Sequence, residues 1–158
     1  MKKRIYIETT IPSFYYTNRT DPESMARTNW TREWWHSCAP EFILTSSAAV
    51  IAELYRGTGI HTQTRIDMLE DVELLPITDE VNRIVQVYIN ALVMPQDPVG
   101  DALHLALASY HRVDVLLTWN CLHIANANKI DRIRLINYEM GLPTPLLMTP
   151  LNYLSGDE

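Results

Sequence analysis

The chain holds only two cysteines, Cys38 and Cys121, in 158 residues. That is too few for a disulfide framework and fits free thiols in a reducing compartment. His36-Ser37-Cys38 and Cys121-Leu122-His123 each set an imidazole near a thiol, but a one-residue gap is not the chelating spacing of structural zinc sites. No apolar run reaches the roughly 18 residues needed to span a bilayer, so no membrane association is expected. Met1-Lys2-Lys3-Arg4 runs straight into a strand-like segment, without the apolar stretch or small-residue cleavage site of a signal peptide. The expected location is the cytoplasm. Glycine is scarce, at five residues, and no Gly-x-x-x-x-Gly-Lys-Ser/Thr loop is present, which argues against a nucleoside-triphosphatase. Internal repeats and low-complexity linkers are absent as well.

A chain of this length with 47% hydrophobic residues can bury the core of one domain. That domain is expected over residues 1–154, with a frayed tail at 155–158. The formal net charge of −6 excludes a protein that grips nucleic acid through its overall field. Asp67, Glu70, Asp71, Glu73, Asp79 and Glu80 fall in one stretch without a cation and equal the whole excess, so the remainder is neutral. Within it, Lys2, Lys3 and Arg4 form one basic group and Lys129, Arg132 and Arg134 another. Either could contact phosphates, or could be ordinary solvated surface.

Residues 4–8 read as a strand that ends in a loop closed by Pro12. Asp21-Pro22-Glu23 opens a helix that carries Trp30, Trp34 and Trp35 toward a stop at Pro40, a stripe suited to core or to a partner surface. Residues 42–45 form a short strand, and Ser46-Ser47 starts a helix that ends at Gly57 and contains Glu53. A polar, partly helical stretch reaches Asp71, a strand covers 73–77, and Thr78-Asp79-Glu80 opens a long helix. After the Pro95, Pro98 and Gly100 loop, Asp101 opens an apolar helix to about His111. Residues 113–118 are a buried-type strand, 121–140 one or two helices, and 146–148 a last strand. Apolar strands alternating with helices imply an α/β fold whose parallel sheet is covered on both faces, with ligands outside the carboxyl ends of the strands.

Glu8 and Asn120 each follow a strand directly and therefore sit at that edge, which Glu53 and Asp101 can reach from helices. Two or three carboxylates with an amide suit Mg²⁺ or Mn²⁺ better than zinc, and such an ion can activate water against a phosphodiester. Taken singly, Glu8 could be an exposed strand end, Glu53 a solvent-facing helix residue, Asp101 a first-turn charge and Asn120 a helix cap. His104 lies one turn after Asp101, within reach of a carboxylate or a buried role of its own. His123 and Asn126 follow Asn120 at three-residue steps and could face a phosphate, or only solvent.

In order and spacing, Tyr6-Ile7-Glu8-Thr9-Thr10-Ile11-Pro12-Ser13-Phe14-Tyr15-Tyr16, Glu53, Asp101-Ala102-Leu103-His104 and Thr118-Trp119-Asn120 with His123 and Asn126 resemble the PIN-domain ribonucleases, in particular the VapC-type toxins of toxin–antitoxin pairs. The resemblance spans nearly the whole chain. It implies a three-layer α/β/α fold with a central parallel sheet, and RNA hydrolysis with Mg²⁺ or Mn²⁺ held by Glu8, Glu53, Asp101 and Asn120. Thr10 or Thr118 would orient the carboxylates, a small antitoxin would cover the site, and a homodimer would form. Glu8 and Asn120 stand where the commoner pattern has Asp, which lengthens one ligand arm and removes one charge, so metal affinity should be lower. Two other readings stay open: a PIN-like RNA- or partner-binding module without turnover, and a metal-dependent phosphohydrolase of small molecules.

Overall fold

The computed structural model describes residues 1–57 and 59–154. The expected frayed tail, residues 155–158, lies outside the described residues. Five strands, β1 (Lys3–Ile7), β2 (Phe42–Ser46), β3 (Glu73–Leu74), β4 (Val115–Leu117) and β5 (Leu146–Met148), form one sheet in the order β3-β2-β1-β4-β5. Every pairing is parallel. Between the strands run α1 (Thr10–Tyr15), α2 (Pro22–Ser37), α3 (Ala48–Arg56), α4 (Thr62–Asp67), α5 (Asp79–Asn90), α6 (Asp101–Tyr110) and α7 (Ile130–Glu139).

β1 is central because it is apolar on both faces: Ile5, Tyr6 and Ile7 are all fully buried, as are Leu116 and Leu117 beside them. Ile5 pairs with Leu44 on one side and Val115 on the other. Parallel crossovers are right-handed, so connections that step from β1 toward β3 and those that lead to β4 and β5 cover opposite faces. α5, α6 and α7 meet on one face through Tyr88, Ser109 and Asn137. α1 packs on α2 and α4. The result is a three-layer α/β/α arrangement, and the direction of winding reverses between β1 and β4. Such a switch point opens a crevice beyond the carboxyl ends of the two strands.

Several expectations shift in detail. Pro12 does not close a loop; it occupies the first turn of α1, where a missing N–H costs nothing. β3 covers two residues, not five: Leu75 N–H still donates to Ser46 O at 2.8 Å, but Pro76 has no N–H with which to extend the ladder. Of the expected helix at 121–140 only α7 forms, because the segment before it is turned by its own asparagines. Asn120 Oδ1 accepts from His123 N at 3.0 Å and Asn126 Oδ1 from Asn128 N at 2.9 Å, side-chain contacts that compete with helix. In α2 the indoles point inward: Trp34 is fully buried and Trp30 and Trp35 pack half-buried against the core, so this stripe is core and not an open interface.

The first basic group lies away from the crevice, and the second is engaged chiefly with backbone carbonyls. Five residues at about 3.3 Å each put Lys3 and Glu8 at opposite edges of the sheet. There Arg4 Nη1 donates to His111 O at 2.8 Å and Lys2 Nζ to Pro40 O at 2.9 Å. Lys129 Nζ and Arg132 Nη2 donate to the carbonyls of Val93 and Ala91, just past the end of α5, and Arg134 pairs with Asp131.

Candidate active site

Glu8 is the first residue beyond β1, and its backbone N–H continues the pairing with Leu117 O at 3.2 Å. The residue is 3% exposed, and both of its carboxylate oxygens accept hydrogen bonds. Oε1 accepts from Thr10 Oγ1 at 2.8 Å and Thr118 Oγ1 at 2.7 Å, and Oε2 accepts from Thr10 N at 2.9 Å. Both hydroxyls are held in turn, Thr10 Oγ1 by Trp119 N and Thr118 Oγ1 by Asn120 N. Glu8 thus laces the end of β1 to the end of β4 across the switch point. Burial pushes its pKa up, and the charge of His104 with the threonine hydrogen bonds opposes that without cancelling it.

A second group meets it from the helices. His104, on α6, is 1% exposed. Its Nε2 lies 2.7 Å from Glu53 Oε1 on α3, and its Nδ1 lies 2.7 Å from Tyr6 Oη, which is 2.8 Å from Ser47 Oγ. Burial alone would lower the His104 pKa. The hydrogen bond and charge of Glu53, then the charges of Glu8 and Asp101, raise it above the ordinary value. A protonated His104 donates from both nitrogens, so Tyr6 accepts from it and passes its own proton to Ser47. Glu53 is likewise pushed up by burial but brought below its usual value by His104, with help from Thr9 and Arg56. The buried Thr9 Oγ1 lies beside Glu53 without completing a hydrogen bond of its own.

Asp101 is half-buried at the first position of α6, one turn before His104. The charges of Glu8, Glu53 and Asp101, far apart in the chain, all bear on one buried imidazole, which Glu53 alone touches. Asn120 follows β4 at the same edge, but its carboxamide oxygen caps the turn at His123. His123 Nδ1 faces Lys129 Nζ at 3.4 Å and Asn126 Nδ2 donates to Leu122 O, so neither hydrogen-bonds to the carboxylates. Tyr6 and Ser47 escaped the sequence reading: Tyr6 stands there only as a residue of the first strand, and Ser47 reads as a helix cap. Ser47 does precede α3, yet its hydroxyl makes no cap bond and goes to Tyr6 instead.

Among the described residues no three Asp, Glu, His or Cys side chains stand close enough to enclose a metal ion by themselves. The donors that gather here are carboxylate oxygens, one buried and two partly open to solvent. Such a set fits Mg²⁺ or Mn²⁺, which bind through one or two carboxylates and keep water or substrate phosphate for the rest of the shell. It does not fit a closed structural cage.

No protein-family model matches the sequence, and no curated protein sequence matches it. Solved structures do resemble it in shape. A crystal structure of VapBC2 from Rickettsia felis bound to a DNA fragment from their promoter aligns with TM-score 0.57 and 15% identity, over 92% of this chain and 98% of that one. A structure of FitAcB from Neisseria gonorrhoeae aligns with TM-score 0.58 and 16% identity, over 95% of this chain and 99% of that one. At that identity the likeness establishes the fold, a PIN-like α/β/α sandwich.

Proposed function

We propose that the protein is a metal-dependent ribonuclease that hydrolyses RNA phosphodiesters and acts as the toxin of a toxin–antitoxin pair. The observation that carries this reading is the buried His104–Glu53 pair, with Asp101 one turn before His104 on α6, at the sheet edge where Thr10 and Thr118 hold Glu8 across the switch point. The toxin role rests on the fold shared with VapBC2 and FitAcB, both two-component assemblies, and implies an antitoxin as partner.

Glu8 and Asp101 would hold the ion, with Glu53 reaching it through the carboxylate oxygen that His104 leaves free. When bound, Mg²⁺ or Mn²⁺ supplies positive charge that acidifies a water and stabilises the leaving oxygen. Thr10 and Thr118 orient Glu8, and the Ser47–Tyr6–His104 chain orients Glu53. Water attacks phosphorus, one P–O ester bond breaks, and the water's proton balances the departing alkoxide, so no covalent enzyme intermediate is required.

A second reading, a binding module without turnover, draws on Asn120, whose oxygen is committed to the turn, and on Glu8, whose burial favours the neutral form. Incubation with single-stranded and structured RNA in Mn²⁺, beside an Asp101→Asn variant, separates the two. Cleavage that requires metal and falls at least about 100-fold in the variant is expected. Metal-replete protein that leaves every RNA intact would sink the nuclease reading.

A further inference from the structure

A polar cleft of about 360 Å³ begins at Thr10, the residue that anchors Glu8, and is lined by Ser13, Phe14, Thr17, Arg19 and Arg65. A neighbouring depression of about 310 Å³ shares Thr17, Arg19 and Arg65 and extends past Asn18 to Gly59 and His61. Together they form one channel leading away from the carboxylates. Its floor is set by Arg65, half-buried, whose Nε donates to Tyr16 O at 2.9 Å and whose Nη2 donates to Ser13 O at 3.1 Å. Nη1 makes no hydrogen bond among the described residues and remains available.

Arg19, exposed, lines both the cleft and the depression with Arg65. Among the described residues neither arginine has a carboxylate within salt-bridge distance. The acid nearest in effect to Arg19, Asp21, is occupied in capping α2 through Ser24 N at 3.0 Å. Burial first, and then the like charge of Arg19, lower the Arg65 pKa, so the two guanidinium groups feel each other's repulsion. In a chain of net charge −6, two unpaired cations facing one cleft are an exception, and an anion between them would relieve the repulsion.

We propose that this channel binds backbone phosphates of single-stranded RNA next to the bond to be cleaved, with Arg19 and Arg65 as the phosphate-binding groups. The proposal rests on the ribonuclease reading for the identity of the polymer. Arg65 presents one edge of a guanidinium already fixed by carbonyls, so little side-chain freedom is lost on binding. Arg19 closes over the strand from the solvent side, and Phe14 offers an apolar wall to a base. The channel places this contact beside Thr10 and hence beside Glu8, so a strand held there runs toward the carboxylates.

The test uses the full chain. Binding of a labelled single-stranded RNA of about 16 nucleotides is followed by fluorescence anisotropy in EDTA over a salt series, for Asp101→Asn alone and with Arg19→Gln. Arg19 is exposed and carries no fold contact through its guanidinium, so the variant folds. The expected result is a roughly tenfold loss of affinity with a salt slope smaller by about 0.7, both restored largely by Arg19→Lys. In parallel, cleavage by the chain retaining Asp101 should show KM raised roughly tenfold by Arg19→Gln with kcat unchanged. Equal affinity and equal slope in the two proteins, or no RNA binding at all, would overturn the channel. Arg19-dependent binding without cleavage would uphold the channel and remove the nuclease reading, whereas cleavage with a KM indifferent to Arg19 would do the reverse.

Discussion

Two buried polar clusters tie helices together in this protein, and they differ in kind. Between α5, α6 and α7, Tyr88 Oη donates to Asn137 Oδ1 at 2.6 Å, while Asn137 Nδ2 donates to Ser109 Oγ at 3.1 Å and Thr144 Oγ1 at 3.0 Å. All of these groups are neutral, and burial pushes the Tyr88 phenol up to about 12, far from any working pH. At the carboxyl edge of the sheet, Ser47, Tyr6, His104 and Glu53 form a chain of similar length, but two of its members, His104 and Glu53, ionise, and Glu8 and Asp101 add to its field. A satisfied neutral network specifies packing. A network of opposed charges at a crevice is the arrangement that shifts pKa values at catalytic sites, and the proposed function places its chemistry there.

The sharpest break of that contrast is Glu8→Gln. Cleavage should fall at least about 100-fold, while the melting temperature changes little, because removing a buried charge offsets the loss of one of the two acceptor oxygens that hold Thr10 and Thr118. A large loss of stability instead would make Glu8 structural. Asn137→Leu should act in the opposite sense. It leaves the Tyr88 and Ser109 hydroxyls only their own 3.2 Å contact and Thr144 without its donor, costs about 3 kcal/mol, lowers the melting point by roughly 6–12 °C, and leaves the turnover of the folded protein unchanged. Reduced kcat at a temperature where the variant is folded would join the two clusters functionally.

A matched pair sharpens it further. Tyr6→Phe and Tyr88→Phe each remove one buried hydroxyl and should cost about 1–2 kcal/mol in chemical denaturation. Only Tyr6→Phe should also slow cleavage, by about tenfold, since His104 and with it Glu53 lose their orientation. Equal activity in both variants would confine Tyr6 to packing.

The smallest effect is in pH. Glu53 has a lowered folded-state pKa, so its stabilising contribution is present above its unfolded value of 4.5 and is lost as pH falls through the lower folded value. His104 has a raised one, so its contribution is present below its unfolded value of 6.5 and is lost as pH rises through the higher folded value. Together they are complete between 4.5 and 6.5, and metal-free protein should lose stability on the alkaline side of that window. Glu8, with a raised value, contributes below its unfolded value of 4.5 and loses that contribution as pH rises through its higher folded value. His104→Gln should flatten the alkaline limb in urea titrations, while Asn137→Leu should shift the whole curve without changing its shape.

Much of the sheet was legible because its signals are local. Apolar runs at β1 and β4, the Asp21-Pro22 start of α2 and the Thr78 cap of α5, which accepts from Val81 N at 3.2 Å, each depend on a few adjacent residues. Turns driven by asparagine side chains after β4 were not legible, since Asn120 and Asn126 can also sit on a helix. Neither were the loads on the basic groups, because Lys129 and Arg132 meet carbonyls at the end of a helix some forty residues earlier in the chain.

From the sequence alone came the alternation of strands and helices, the parallel sheet it implies, and the placing of Glu8 at a strand end, since hydrophobic period and chain direction decide these. Only the tertiary structure decided that Tyr6 and Ser47 hold His104, that His104 holds Glu53, and that Arg19 and Arg65 line the same cleft. Those are meetings between residues about forty to a hundred positions apart, created by the crossover that reverses the sheet at β1 and β4. Burial there decides which of them carry charge, and burial is a property of the packed molecule.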